Sequence, residues 1–111
     1  MALDSMPSVP DGPIVFFERR ELDQLLRLYG RMVAAGIWKD YAIAGLKDCA
    51  IFSVFRRASE APFYRIEKRP ALARRQGAWS VTSQSGLILK RGHELEPVLK
   101  VFDRARLSVV D

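Results

Sequence analysis

The spacing of apolar residues changes twice along this chain, and these changes limit the folds that it can adopt. Residues 18–35 place apolar side chains at helical intervals, and residues 50–90 place them in short runs separated by turn residues. Helical spacing then returns near His93. This order predicts an α+β domain, in which an antiparallel sheet of about four strands has an N-terminal and a C-terminal helix packed on one face.

The first helix has the clearer signal of the two, because its apolar side chains form one stripe that a helix buries against a core. That stripe consists of Leu22, Leu25, Leu26, Tyr29, Met32 and Val33. Glu18 and Glu21 lie at the start of the helix, where its dipole favours anions, and Gly36 follows the last turn as a C-cap. The second helix begins near His93, and its stripe consists of Leu95, Val98, Leu99 and Phe102.

Four segments between the helices have strand character. The predicted strands are residues 50–57, 63–69, 78–82 and 87–90. The first of them is apolar on both faces, which predicts a central strand covered on both sides. Residues 38–43 fit either a helical turn or a short strand, and residues 14–17 fit either an edge strand or a packed lead-in. Residues 70–77 are predicted to form a basic loop.

Length and composition allow one domain with one core, since the chain has 111 residues and 49% of them are hydrophobic. We expect this domain at residues 14–104, after a flexible proline-rich arm (1–13) and before a C-terminal tail (105–111). Cys49 is the only cysteine, so no intramolecular disulfide can form. The sequence shows neither a signal peptide nor an apolar run of membrane-spanning length. These features predict a cytoplasmic protein without a membrane partner.

The net charge of +5 is confined to one part of the sequence. Residues 56–75 contain seven basic and two acidic residues, so this segment alone accounts for the whole excess. Six of its seven basic residues are arginines, whose planar guanidinium groups bind phosphate or carboxylate through two parallel hydrogen bonds. The segment coincides with a predicted hairpin and the loop that follows it.

This concentration of arginine predicts an anion-binding surface for RNA, DNA or an acidic protein. A second basic site precedes the last helix at Lys90 and Arg91, where backbone N–H groups and Gly92 would favour a bound anion. The candidate binding residues are Arg56, Arg57, Arg65, Lys68, Arg69, Arg74, Arg75, Lys90 and Arg91. The alternative interpretations are a solvated sheet edge whose charges prevent aggregation, and an ordinary helix start.

A sheet that binds single-stranded RNA would also expose aromatic side chains for base stacking. The strand at residues 50–55 contains Phe52 and Phe55. The basic residue and the glycine that should open such an RNA-binding motif are absent from it. We therefore expect these two aromatic side chains to lie in the core.

Most catalytic chemistries lack the residues that they require. His93 is the only histidine, which excludes a two-histidine zinc motif and argues against a structural zinc site. No phosphate-binding glycine loop and no nucleophile elbow occurs. Cys49 could pair with His93, and Asp40 with Asp48, but a buried cysteine and loop carboxylates explain these residues better. We expect a non-enzymatic protein with no catalytic residue, metal or cofactor.

Four segments of the chain are similar to a known family. They are LYGRMVAAG (28–36), FSVFRRASE (52–60), YRIEKRP (64–70) and GLILKRGHEL (86–95). They resemble the alphaproteobacterial domain-of-unknown-function family 2794, whose members are uncharacterised small proteins, and the likeness covers about residues 14–103. The resemblance implies a bacterial cytosolic protein, and it carries no activity, cofactor or catalytic residue.

Three functional hypotheses follow from the residues. The first is a non-enzymatic binding module whose basic hairpin, residues 56–75, engages nucleic acid or another polyanion. The second is a protein-interaction or regulatory module that adds a partner strand to an exposed sheet edge, an edge that also makes a homodimer reasonable. The third is a small-ligand or catalytic role around residues 90–94 and Cys49.

Overall fold

The computed structural model of this chain describes residues 14–57 and 61–103. The predicted arm (1–13) and tail (105–111) lie outside the described residues, as does part of the predicted turn between the first two strands. Within the described parts of the chain, no helix is both long enough and apolar enough to span a membrane.

The described residues form two complete α-helices, five strands and one short 3-10 turn, and helical structure resumes at residues 101–103. In chain order these are α1 (Arg19–Ala34), β1 (Asp40–Gly45), β2 (Ala50–Phe55), β3 (Tyr64–Lys68), the 3-10 turn (Pro70–Leu72), β4 (Trp79–Ser83), β5 (Ile88–Gly92) and α2 (Leu95–Leu99). Each strand pairs antiparallel with the next one in sequence, so the sheet order is β1-β2-β3-β4-β5. The predicted α+β class is confirmed.

The sheet has five strands, and the prediction of about four strands was wrong by one. The additional strand is β1, which comes from the segment that fitted either a helical turn or a strand. All but the last of its residues are exposed, so the alternation of buried and exposed side chains that reveals a strand is missing. A turn at Lys47 and Asp48 sets its pairing with β2, and the Leu46 N–H donates to the Cys49 carbonyl across it at 2.8 Å.

Helix α1 begins and ends within one residue of the predicted limits. The Glu21 carboxylate accepts a hydrogen bond from the Glu18 backbone N–H at 2.7 Å, which satisfies a donor at the start of the helix. Gly36 has φ +77°, a left-handed conformation that glycine adopts without strain, and it ends the helix as expected. Leu25, Leu28 and Met32 are its buried residues. The predicted stripe is confirmed for Leu25 and Met32, whereas it omitted the buried Leu28 and included Val33, which is exposed.

The two faces of the sheet carry different side chains. One face, termed the core face, carries Tyr41, Ile43, Phe52, Val54, Tyr64, Ile66, Lys68, Trp79 and Val81. The opposite face, termed the outer face, carries Ala42, Ala44, Ile51, Ser53, Arg65, Glu67, Ser80, Thr82 and Arg91. Phe52, Ile66 and Val81 lie side by side on the core face, and all three are fully buried in one cluster with residues of both helices.

Aromatic contacts join the helical segments to the core face. The rings of Tyr29 and Tyr41 lie 4.7 Å apart, and Phe102 lies 5.1 Å from both Trp38 and Tyr64. The buried cluster that these rings join contains residues of five elements, α1, β2, β3, β4 and α2, so the packing is tertiary rather than local. The Nε1 of the buried Trp38 has no hydrogen-bond partner among the described residues.

The lead-in before α1 is not a strand; it crosses the end of the sheet on the core face. The Val15 N–H donates to the Leu46 carbonyl at 2.7 Å, and the ring of Phe17 stacks on Trp79 with centroids 6.0 Å apart. Lys68 joins this segment to the helix. Its Nζ lies 2.6 Å from Glu21 Oε1 and donates to the Phe16 carbonyl at 3.0 Å. One ammonium group thus connects β3, the lead-in and the first turn of α1.

Replacing Lys68 with Met should lower the free energy of unfolding by about 1–3 kcal/mol, because the two charge-assisted hydrogen bonds are lost while the side-chain stem remains. Urea denaturation measures the change. Lys47→Met, in the exposed turn after β1, is the matched control and should stay within about 0.5 kcal/mol of the wild type. Equal effects of the two substitutions would contradict the connecting role of Lys68.

Candidate functional site

The structure separates the basic residues that the sequence places in one segment. Arg56 and Arg57 follow β2 at the end of the sheet where β3 begins, whereas Arg69, Arg74 and Arg75 follow β3 at its other end. The five residues of β3 span about 17 Å. The charge of residues 56–75 is therefore divided between opposite ends of the sheet.

Arg91 joins one of these groups from a different part of the chain. It lies on β5 opposite Ser80, and its Nη1 donates to the Gly77 carbonyl at 3.4 Å. We term the group formed by Arg69, Arg74, Arg75 and Arg91 the arginine end. It combines the β3–β4 loop with the adjacent edge strand, and sequence separation conceals that proximity.

The β3–β4 loop is held in a closed conformation by its own backbone. The Leu72 carbonyl accepts hydrogen bonds from the N–H groups of Arg75, Gln76 and Gly77, at 2.9 to 3.1 Å. His93 Nδ1 lies 3.0 Å from the Ala73 carbonyl, which ties the loop to the connection between β5 and α2. The positions of Arg74 and Arg75 are therefore fixed at the backbone, while both residues remain exposed.

Two glycines allow the loop to approach β5 closely. A Cβ atom built on Gly77 would lie 2.3 Å from the carbonyl carbon and oxygen of Gly92 and 2.8 Å from the His93 nitrogen. Gly77 also has φ +97°, a conformation that side chains disfavour. A residue with a side chain at this position would force the arginine-bearing loop away from the sheet.

The described residues contain two ion pairs, and only one of them involves the arginine end. Arg69 Nη2 lies 3.3 Å from Glu67 Oε1, and the Arg69 side chain retains 41% exposure. The second pair is Lys68 with Glu21. Among the described residues no carboxylate lies within ion-pair distance of Arg74, Arg75 or Arg91. The arginine end thus has an excess of positive charge.

The other candidate residues have separate surroundings. The Arg56 guanidinium lies 4.5 Å from the centre of the Phe63 ring, and Arg57 is exposed beside it. Arg65 is half-buried on the outer face, between Ser53 and Thr82. Lys68 is the residue on the core face that Glu21 binds. Lys90 is exposed on β5.

The predicted anion site before the last helix has a different arrangement from the one expected. Helix α2 has only five residues, which limits its dipole, and it begins at Leu95, two residues after His93. The side chains of Arg91 and His93 contact the β3–β4 loop instead of converging on the helix N-terminus. These two contacts hold the β3–β4 loop against β5 and the connection that follows it.

The aromatic residues of β2 differ in burial. Phe52 is fully buried, as the sequence predicted, and stacks on Tyr41 with ring centroids 5.3 Å apart. Phe55 is half-buried, on the side of β2 that faces away from Phe52. β2 is thus closely covered on its core face and only partly covered on its outer face, so the prediction of coverage on both sides was too strong.

Cys49 has the properties of a structural residue. It is 3% exposed, and burial raises the pKa of its thiol, an effect that the nearby positive charge of Arg69 opposes. A raised pKa keeps the sulfur protonated at neutral pH, which makes it a poor nucleophile. The Asp40 carboxylate accepts a hydrogen bond from the Tyr41 backbone N–H at 2.8 Å. In the described parts of the chain, no three His, Cys, Asp or Glu residues form a group that could hold a metal ion.

A charged groove that the sequence did not reveal lies between α1 and α2. Its volume is about 480 Å³. The lining residues are Arg20, Asp23, Gln24, Arg27, Arg31, Glu96, Leu99, Lys100 and Asp103. Four basic and three acidic side chains face each other across it, so the groove has no strong preference for one sign of charge. The two helices are far apart in sequence, and no local pattern indicates that these residues meet.

The family assignment agrees with the resemblance in the sequence. The profile of a family described as "Protein of unknown function (DUF2794)" matches residues 15–99, which include β1 to β5, α1 and α2, and the chain belongs to this family. Comparison with curated proteins and with solved structures finds no match. The family description assigns no activity.

Replacing Gly77 with Ala tests whether the close approach to Gly92 holds the loop. Gly86→Ala is the matched control, because Gly86 also has positive φ but its added Cβ would meet nothing within 4 Å. The control should lose about 1–2 kcal/mol of stability from backbone strain alone. Gly77→Ala should lose more and should accelerate cleavage by trypsin after Arg74 and Arg75. Identical stability and cleavage rates in the two variants would contradict this role of Gly77.

Proposed function

We propose that this protein is a non-enzymatic binding module that engages the phosphate backbone of a nucleic acid through the arginine end. The observation that carries the proposal is the exposure of Arg74 and Arg75 on a loop whose backbone is fixed against β5. A fixed loop loses little conformational entropy when it binds, which favours affinity. The guanidinium groups supply the planar hydrogen-bond donors that phosphate oxygens accept.

The outer face would extend this surface. We propose that both helices cover the core face, which would leave the outer face available to the same ligand. Arg65 and Arg91 lie on the outer face beside Ser80 and Thr82. Ser80 and Thr82 are buried, so the half-buried arginines would make the contacts on this face. A nucleic-acid strand that binds at the arginine end could therefore continue across the sheet toward Arg65.

Only some of the nine basic residues predicted from the sequence would contact phosphate directly. Arg56 and Arg57 lie about one strand length away, and Lys68 is bound to Glu21. Lys90 lies on β5 and could contribute to long-range attraction. The arginines that would contact phosphate directly are the four of the arginine end together with Arg65.

Binding of a labelled single-stranded RNA, measured by fluorescence anisotropy at about 50 mM salt, tests this function, because phosphate contacts are strong at low salt. Replacing Arg74 and Arg75 with Ser should weaken binding and reduce the slope of log affinity against log salt by about 2, one unit for each contact. The same comparison with labelled DNA would show whether the 2′-hydroxyl contributes.

The matched control replaces Arg56 and Arg57 with Ser, which removes the same charge from the opposite end of the sheet. We expect this variant to bind nearly as well as the wild type. An equal loss in both variants would show that only net charge matters and would contradict a site at the arginine end. No binding by the wild type at about 50 mM salt would overturn the proposed function.

A further inference from the structure

The two edges of the sheet are protected to different degrees. β5 carries Lys90 and Arg91, and its pairing with β4 is interrupted by a register shift between Val81 and Thr82. Charged side chains and such irregularities are common means of preventing one sheet edge from pairing with another. β1 pairs with β2 in continuous register, and its only charged residue is Asp40 at the first position. β1 is therefore the edge suited to accept another strand.

Backbone groups of β1 point away from the sheet at alternate residues. The bond from the Leu46 N–H to the Cys49 carbonyl fixes this alternation, since it directs the N–H groups of even-numbered residues toward β2. Those of Tyr41 and Ile43 then point outward. In agreement with this, the Tyr41 N–H donates to the Asp40 carboxylate rather than to a carbonyl of β2. No strand of the described residues pairs with this side of β1.

Exposed apolar side chains accompany these backbone groups. Tyr41 is 39% and Ile43 48% exposed, and Leu46 and Phe16 beside the strand end are 44% and 67% exposed. On the outer face the corresponding residues are the small Ala42 and Ala44, which leave room for a second backbone. The strand thus offers both hydrogen-bonding groups and apolar area to a partner.

We propose that β1 pairs antiparallel with β1 of a second copy of this chain, around a two-fold axis at Ala42. In this register Ala42 faces the partner's Ala42, and Tyr41 faces the partner's Ile43. Each Tyr41–Ile43 pair exchanges two backbone hydrogen bonds. The Tyr41 N–H then donates to the partner strand instead of to the Asp40 carboxylate. The two five-stranded sheets become one continuous sheet, and both core faces lie on the same side of it.

Charge and space favour this register over its neighbours. Asp40 faces the partner's Ala44, so no like charges oppose each other. A shift that centred the pairing on Ile43 would bring Gly45 into the ladder, where the lead-in already lies within 2.9 Å of a Cβ built on that glycine. Two-fold symmetric pairing of identical surfaces is the commonest route to a dimer.

The short strand makes a small interface, so we expect a weak dimer whose population depends on concentration. Analytical ultracentrifugation from about 1 to about 100 µM should show the chain changing from one to two copies, a range that covers micromolar dissociation constants. Each chain carries +5, and salt screens the repulsion between copies. Salt should therefore strengthen the dimer, whereas it weakens binding to nucleic acid, and the two proposals can fail independently.

Substitutions at the two-fold axis give the sharpest test. Ala42→Lys and Ala42→Glu should each raise the dissociation constant by at least about tenfold, because two like charges then face each other. An equimolar mixture of the two variants should restore the dimer. Ala44→Lys is the matched control on the same face, and it should preserve or strengthen the dimer because its new charge faces the partner's Asp40.

Three results would overturn the pairing. The first is a wild-type chain that stays monomeric at about 100 µM. The second is a mixture of Ala42→Lys and Ala42→Glu that does not recover the dimer, although circular dichroism shows both variants to be folded. The third is a dimer that is lost on Ile88→Lys but not on Ala42→Lys. The last result would assign the contact to β5, where Ile88 is 51% exposed.

Discussion

The row formed by Phe52, Ile66 and Val81 across three adjacent strands is the constraint on which the rest of the structure depends. Side chains alternate between the two faces of a strand, so burying this row fixes which residues of β2, β3 and β4 point into the buried cluster. A shift of one residue in β3 would move Arg65 and Glu67 into the core and Ile66 to the outer face. The placement of Arg65 on the outer face follows from this one apolar row.

Lys68 shows how that constraint reaches beyond the sheet. It lies on the core face at the end of β3, where an unpaired ammonium group would be costly to bury. Glu21 and the Phe16 carbonyl compensate its charge and hydrogen-bonding capacity. The start of α1 is thereby located over this end of the sheet, and the carboxylate that binds Lys68 also accepts the Glu18 N–H.

The sequence was sufficient for elements whose side chains alternate in burial. The limits of α1 and the cores of β2 and β3 could be predicted, because their apolar residues recur at a regular interval. β1 could not, since an edge strand exposed on both faces has no such interval. The start of α2 at Leu95 lies two residues after His93, near the predicted position, and Gly92 and His93 before it contact the β3–β4 loop.

The sequence predicted which arginines belong to the candidate site but not how they are arranged on the sheet. Counting charges locates the arginines in sequence, yet it cannot show that Arg57 and Arg74 lie at opposite ends of β3. Nor does it show that Arg91 approaches the loop, since that contact depends on the register of β5 and on the absence of a side chain at Gly77. Residues that are close in one charged segment lie at opposite ends of the sheet when a whole strand separates them.

The Cys49 thiol can report local opening of this part of the sheet. It is the only cysteine, it directly follows the turn that joins β1 to β2, and its thiol is both covered and protonated. A thiol-reactive reagent reaches this buried sulfur only when local opening exposes it, so the labelling rate measures how often this part of the sheet opens. The wild-type chain thus allows the free energy of that local opening to be determined separately from that of global unfolding, without any substitution or attached probe.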